Sequence, residues 1–224
     1  MEYQTTITFI MEMAGTVAFA SSGALVALEK NMDIFGISVL GVVTACGGGM
    51  IRDLILGVIP PSVFIHAVYA TVAMVTSCLV FLLFYLKREL LGGHFRETFD
   101  RIMLIMDSIG LAIFTVVGVN TGIQQGYGDN TFLLIFVGTI TGVGGGVLRD
   151  MMAGVPPYIF VRHVYACASI VGAGVCVLLQ RYFGAVEAMI GASFVVMLMR
   201  YLAAHYHWNL PRLQREKGVR EHGK

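Results

Sequence analysis

The sequence GGGMIRD at residues 47–53 returns almost unchanged as GGGVLRD at residues 144–150. Each copy joins three glycines to an Arg-Asp pair, and each copy lies within a long apolar stretch. The similarity continues downstream, because GGGMIRDLILGVIPPSVFIHAVYA at 47–70 matches GGGVLRDMMAGVPPYIFVRHVYA at 144–166 with one residue inserted. The chain therefore contains an internal repeat.

The repeat also extends upstream of the glycines. An acidic residue, a glycine, a phenylalanine and a second glycine recur at the same spacing in both copies: Glu12, Gly15, Phe19 and Gly23 in the first, and Asp107, Gly110, Phe114 and Gly118 in the second. Each repeat is thus long enough to hold several apolar segments.

The composition places these segments in a membrane. Of the 224 residues, 57% are hydrophobic and only 13% are Asp, Glu, Lys or Arg, against about 25% charged residues in an ordinary soluble domain. The mean hydropathy is +0.78. Several apolar windows reach the ~18 residues that a membrane-crossing helix requires. We expect an all-α integral membrane protein.

Seven transmembrane helices are predicted, separated by short turn-like segments. The predicted spans are 7–28, 36–57, 63–86, 102–122, 132–154, 160–180 and 184–203. The predicted units are a first three-helix repeat at 5–91, a second at 100–182, a seventh helix at 183–205 and a polar cytoplasmic tail at 206–224. Because three spans is an odd number, the second repeat should enter the membrane inverted relative to the first.

The distribution of Lys and Arg predicts that the N-terminus lies outside and the C-terminus lies in the cytoplasm. With that orientation, Arg181 alone falls outside, and the inner side receives the following residues: Lys30, Lys87, Arg88, Arg96, Arg101, Arg162, Arg200, Arg212, Arg215, Lys217, Arg220 and Lys224. We expect a protein integral to the inner or plasma membrane.

The triple glycines predict breaks in helices two and five. Glycine costs about 1 kcal/mol relative to alanine inside a helix, so Gly47, Gly48 and Gly49, and likewise Gly144, Gly145 and Gly146, favour a bend or an unwound turn. Irregular backbone within a bilayer is tolerated where it lines a water-filled cavity, which predicts a path for ions or small zwitterions. The alternative is close packing of helices through small residues.

Charged residues within the spans predict two ion pairs. At ~1.5 Å of rise per residue, Glu12 and Arg52 lie at one depth, and Asp107 and Arg149 lie at the corresponding depth of the other side. We expect a Glu12–Arg52 pair and an Asp107–Arg149 pair, since charges within a span are either functional or paired. Asp53 and Asp150 would cap the downstream half-helices or compete for the arginines. Snorkelling of each arginine to the headgroups is the alternative.

Several functional classes are not indicated by the sequence. It shows no nucleophile–base arrangement, phosphate loop, metal-ligand pattern or cofactor motif, so we expect neither an enzyme nor a cofactor. No basic patch with aromatic residues suggests nucleic acid.

The paired GGGxxRD motifs, followed in each copy by a glycine and two prolines within a seven-span chain, resemble the prokaryotic homologues of the trimeric intracellular cation (TRIC) channels, a family with paired glycine-transporter-type domains. The resemblance covers roughly residues 5 to 205. It implies an inverted three-plus-three repeat with a seventh helix, a homotrimer, and a pore in each protomer beside the glycines of helices two and five. The Lys-Glu-Val motif of the animal members is missing from the second span, so their lipid binding and voltage dependence are not carried over.

The leading hypothesis is therefore a K⁺-permeable monovalent cation channel in contact with membrane lipid, with a path between spans two and five that is lined by glycine carbonyls. The second hypothesis is a secondary transporter for a small zwitterion such as glycine, whose carboxylate would meet half-helix N-termini. The third is a membrane scaffold without transport.

Overall fold

The protein is described here from a computed structural model, which covers residues 2–86, 95–161, 164–206 and 208. Within these residues the fold is all helical. The helices are α1 (Glu2–Glu29), α2 (Ile34–Leu56), α3 (Ser62–Ile65), α4 (Val68–Leu86), α5 (Phe95–Gly122), α6 (Thr131–Met152), α7 (Tyr158–Val161), α8 (Tyr165–Gln180) and α9 (Ala185–His205), with a π-helical turn at Ile123–Tyr127 after α5.

Six of these helices, α1, α2, α4, α5, α6 and α9, are long and apolar enough to cross a membrane. Helix α8 is also apolar, but it has 16 residues and is shorter than the ~20 that a span normally needs. The fold is therefore that of an all-α membrane protein with six long apolar helices and one shorter apolar helix, besides the four-residue helices α3 and α7.

The predicted spans three and six are each divided in two. The proline pairs precede short helices, α3 and α7, and a second interruption separates these from α4 and α8. The prolines explain the first boundary, because proline suits the start of a helix and cannot continue one. No proline or glycine marks the second boundary, so the sequence pattern predicted one span where there are two helices.

The two long central helices begin at matching polar caps. Asp33 accepts the backbone N–H of Gly36 at 2.8 Å, and Asn130 accepts that of Leu133 at 3.0 Å. Side-chain oxygens at these positions satisfy N–H groups that have no partner within the helix. At the other end, Gly57 adopts a left-handed conformation with φ of 75°, which stops α2.

The expected unwound turns at the triple glycines are absent, so the prediction of broken helices is wrong. α2 continues through residues 47–49 and α6 continues through residues 144–146 as regular helix. The reason is tertiary, since a β-carbon on Gly48 would lie 2.2 Å from the carbonyl oxygen of Thr141, and one on Gly145 would lie 2.0 Å from that of Thr44. The glycines permit α2 and α6 to cross in backbone contact, which is the packing alternative.

The crossing is reciprocal. Gly48 and Gly145 are equivalent positions of the repeat, and so are Thr44 and Thr141, and each glycine meets the threonine of the other repeat. Such self-complementary contacts are what a two-fold axis between two copies produces. The two repeats therefore meet at their glycines, in the centre of the protein.

The first helix of each repeat packs beside this crossing through further small residues. A β-carbon on Gly23 would lie 2.5 Å from the Thr44 hydroxyl, and one on Gly118 would lie 2.5 Å from the Thr141 hydroxyl. Nearby, the rings of Phe19 and Phe114 are 5.3 Å apart. These equivalent contacts hold α1 and α5 against the central pair of helices.

Helix α9 lies outside the repeat and packs against α5 and α8. Met189 and Ala192 of α9 join the core formed by Cys176 and its neighbours. Most of the predicted polar tail at 206–224, and the basic residues Lys87, Arg88 and Arg162, lie outside the described residues. The domain limits and the membrane orientation that rested partly on them stay predictions.

Candidate functional site

A cavity of about 560 Å³ with charged side chains in its wall opens in the first repeat. Helices α1 to α4 surround it, and the end of α5 with the following π-helical turn covers one side through Thr121, Gln124 and Gln125. We call it the first-repeat cavity. The charged side chains in its wall are Glu12, Arg52 and Asp53, so its formal charge is negative when His66 is neutral.

The predicted Glu12–Arg52 ion pair does not form. The guanidinium of Arg52 binds Asp53 instead, with Nη2 at 2.7 Å and Nε at 2.8 Å from Oδ1. Glu12 accepts a hydrogen bond from the Tyr69 hydroxyl. Depth along the helix axes placed Glu12 and Arg52 at one level, but depth does not specify the face of each helix, and Asp53 is the nearer acid.

The two aspartates of the Arg-Asp motifs play the same structural part in both repeats. The second carboxylate oxygen of Asp53 accepts the backbone N–H of Ser62 at 2.7 Å, and that of Asp150 accepts the N–H of Tyr158 at 2.8 Å. Each aspartate therefore caps the short helix that follows the prolines. The expected capping occurs at α3 and α7, rather than at half-helices beginning after the glycines.

Three charged residues of the second repeat, Asp107, Arg149 and Asp150, are buried. Arg149 has no exposed surface, and its Nη1 donates to Asp107 Oδ1 at 2.6 Å and to the Ser22 hydroxyl at 2.5 Å. Its Nε donates to Asp150 Oδ1 at 2.8 Å. We call Asp107, Arg149 and Asp150 the second-repeat cluster. The structure thus brings Arg149 and Asp107 together, whereas Arg52 and Glu12 do not pair with each other.

The six motif glycines occupy three different environments. Gly47, Gly48, Gly144 and Gly145 lie at or beside the helix crossing. Gly49 lines the first-repeat cavity. Its counterpart Gly146 lies beneath the Tyr165 hydroxyl and close to the guanidinium of Arg149. Only one of the six therefore faces the first-repeat cavity.

Three further side chains at these sites were not assigned a role by the sequence. Tyr69 lies within the repeated sequence 47–70, and its hydroxyl reaches Glu12. Ser22 lies in the predicted span 7–28, and its hydroxyl accepts a hydrogen bond from Arg149. Arg200 was counted among the basic residues of the inner side, whereas its side chain is buried in α9 with 4% exposure. The available signal was that Arg200 falls inside the predicted span 184–203.

No group of three or more His, Cys, Asp or Glu side chains in the described part of the chain is placed to hold a metal ion. The polar groups around the first-repeat cavity are two carboxylates, a guanidinium, an imidazole, hydroxyls and amides. They are suited to reversible contact with small hydrated solutes.

Comparison with known proteins gives consistent matches over most of the chain. A family model described as Glycine transporter matches residues 9–85 and 104–181, which are the two repeats. A UPF0126 membrane protein of Deinococcus radiodurans is 37% identical over 180 residues, covering 80% of this chain and 79% of that protein. The inner membrane protein YadS of Escherichia coli K12 is 40% identical over 167 residues, covering 74% and 75%.

Solved structures show the same fold. The TRIC trimeric intracellular cation channel orthologue from Rhodobacter sphaeroides is 31% identical, with a TM-score of 0.81 over 91% of this chain and 100% of the other. A prokaryotic TRIC channel crystallised in 0.5 M KCl is 30% identical, with a TM-score of 0.82 over 92% and 100%. A further TRIC cation channel is 35% identical, with a TM-score of 0.78 over 92% and 97%.

Proposed function

Since the chain belongs to the glycine transporter family and is a prokaryotic homologue of the TRIC channels, we propose that it conducts small monovalent cations, K⁺ among them. The likeness to channels spans nearly the whole fold. The inner membrane is its proposed location, by its likeness to YadS. A homotrimer with a path in each protomer is the proposed assembly, by its likeness to the trimeric orthologue.

The observation that carries this proposal is the unpaired acid of the first-repeat cavity. Glu12 forms no ion pair in the described structure, and the other two charges of the cavity, Arg52 and Asp53, neutralise each other. A cleft with charge of one sign and low-dielectric walls raises the local concentration of counter-ions. The first-repeat cavity should therefore collect cations and repel anions.

The proposed path continues between α2 and α6, alongside Gly47 to Gly49 and Gly144 to Gly146. In the conformation described, the helices meet in backbone contact at Gly48 and Gly145, and the second-repeat cluster is buried. We infer that this conformation is closed to ions on the side of the second repeat. Conduction then requires the cluster to open.

A glycine carrier is the second candidate, favoured by the description of the family. The first-repeat cavity carries both signs of charge, with Glu12 near enough to Arg52 to interact electrostatically. A zwitterion could place its ammonium at Glu12, but Arg52 would have to leave Asp53 before binding the carboxylate. This rearrangement makes the carrier the second candidate.

Flux through purified protein in liposomes separates these functions. We expect passive K⁺ flux that does not saturate, whereas saturable uptake of labelled glycine would replace the channel proposal. Glu12→Gln should lower K⁺ flux several-fold at low salt and less at high salt, because salt screens the field of a single charge. Glu29→Gln, an exposed acid at the other end of α1, is the matched control and should leave flux unchanged.

The proposed orientation places the N-terminus outside and inverts the second repeat. Single cysteines at positions 127 and 94, in a background without other cysteines, should then react with impermeant reagent from the outside and the inside respectively. Position 94 lies outside the described residues. Labelling of both positions from the same side would contradict the inverted arrangement.

A further inference from the structure

Arg200 is a buried arginine in the helix that the repeat does not include. Its Nε donates to the Ser108 hydroxyl at 3.3 Å, and its guanidinium carbon lies 4.9 Å from the centroid of the Tyr165 ring. Within the described residues no carboxylate lies at ion-pair distance from it. A charge inside a membrane span is costly unless another charge balances it, so the surroundings of Arg200 should contain its counter-charge.

The charge count of the two repeats identifies that counter-charge. The second-repeat cluster contains two acids and one arginine and is therefore net negative, as are its counterparts Glu12, Arg52 and Asp53. The first set borders an open cavity, where water and ions can compensate the excess charge. The second set has at most 1% exposure at each residue, and adding Arg200 makes it neutral.

Unsatisfied polar atoms connect Arg200 to the second-repeat cluster. Asp107 Oδ2, Arg149 Nη2, the Tyr165 hydroxyl and Arg200 Nη2 are all buried without a hydrogen-bond partner among the described protein atoms. Tyr165 interacts electrostatically with Asp107, Arg149 and Arg200, and the guanidinium of Arg200 lies over its ring.

We propose that Arg200 is the counter-ion of the second-repeat cluster and acts across the ring of Tyr165, over which its guanidinium stacks. Helix α9 would thereby hold the second repeat in its buried arrangement. Arg200 is a positioning residue in this account, acting on Asp107 and Arg149 and not on a passing ion. Any effect of Arg200 on conduction rests on the proposed function, but its role in balancing charge does not.

The melting temperature of the purified protein tests the counter-ion role. Arg200→Met keeps an apolar stem without charge and should lower Tm by about 6 °C or more, as expected when a buried charge loses its partner. Arg200→Lys keeps the charge and should lower Tm by less than half as much. In an Asp107→Asn background a neutral residue at position 200 restores the charge balance. Arg200→Met should then lower Tm only slightly or raise it.

Two results would overturn the proposal. If Arg200→Lys and Arg200→Met lower Tm equally, Arg200 acts through packing alone. If Arg200→Met lowers Tm equally with and without Asp107→Asn, the two residues are not coupled. Glu12→Gln is the control background, since its charge lies in the other repeat, and Arg200→Met should have its full effect there. These measurements need no ion flux, so a failure of the channel proposal would be seen separately in liposomes.

Discussion

Replacing Gly48 by alanine should force apart the two central helices. The added β-carbon would lie 2.2 Å from the carbonyl oxygen of Thr141 and 3.1 Å from the carbonyl carbon, where ordinary contact begins at 3.4 Å. The obstacle is helix backbone, which cannot rotate away as a side chain does. Helices α2 and α6 must therefore separate by about 1 Å, with loss of contact along the crossing.

The neighbouring glycine provides the control for helix propensity. At Gly49 the nearest atom to an added β-carbon is Arg52 Nη2 at 3.7 Å, so alanine fits there. Alanine stabilises a helix by about 1 kcal/mol relative to glycine, and both substitutions gain this amount. Overpacking costs about 1–3 kcal/mol, and we expect the upper end at Gly48, leaving the Gly48→Ala protein about 3 kcal/mol less stable than the Gly49→Ala protein.

Thermal unfolding of the purified variants in one detergent measures this difference. At about 2–4 °C per kcal/mol for a chain of this size, Gly48→Ala should melt about 6–12 °C below Gly49→Ala. Gly145→Ala should behave like Gly48→Ala, because its β-carbon would lie 2.0 Å from the Thr44 carbonyl oxygen. Melting temperatures of Gly48→Ala and Gly49→Ala within about 2 °C of each other would refute the backbone crossing.

Two further predictions concern the charges. Asp107→Asn should destabilise the protein by about 3–5 kcal/mol, since it leaves the fully buried Arg149 short of a partner. The equivalent Glu12→Gln should cost only about 1–2 kcal/mol for a weakened hydrogen bond. Similar losses of unfolding free energy for the two variants in denaturant titrations would show that the two repeats do not differ. In double-mutant cycles, Glu12→Gln with Tyr69→Phe should give a coupling energy of about 1.5–3 kcal/mol. Glu12→Gln with Arg52→Gln should give less than about 1 kcal/mol. A larger coupling to Arg52 than to Tyr69 would support the Glu12–Arg52 pair that the sequence suggested.

The long helices and the repeat were predictable because both depend on local sequence. Apolar stretches without charges specify the six long helices, and the doubled motif matches the two family segments. The division of spans three and six was not predictable, because the interruption around His66 has no proline or glycine to mark it. The start of α3 before it, at Ser62, is held by Asp53, nine residues earlier in the chain.

The partners of the site residues depended on contacts that a single helix does not reveal. Whether a glycine breaks a helix or permits a close approach is decided by the facing surface, here the carbonyl of Thr141 for Gly48. Depth identified Asp107 for Arg149, but at Arg52 the adjacent Asp53 is the partner. Arg200 lies three residues from the predicted end at 203, which is too close to distinguish a buried arginine from an interfacial one.

The crossing of α2 and α6 also has a mechanical consequence. Gly48 lies about 21 Å from the start of α2 at Ile34 and about 12 Å from its end at Leu56, at ~1.5 Å per residue, and Gly145 divides α6 in nearly the same proportion. With backbone against backbone, the contact has no compressible side chain and serves as a fulcrum. Each helix is then a lever of unequal arms, and a displacement of about 1 Å at the arginine-bearing end swings the far end by nearly 2 Å in the opposite direction.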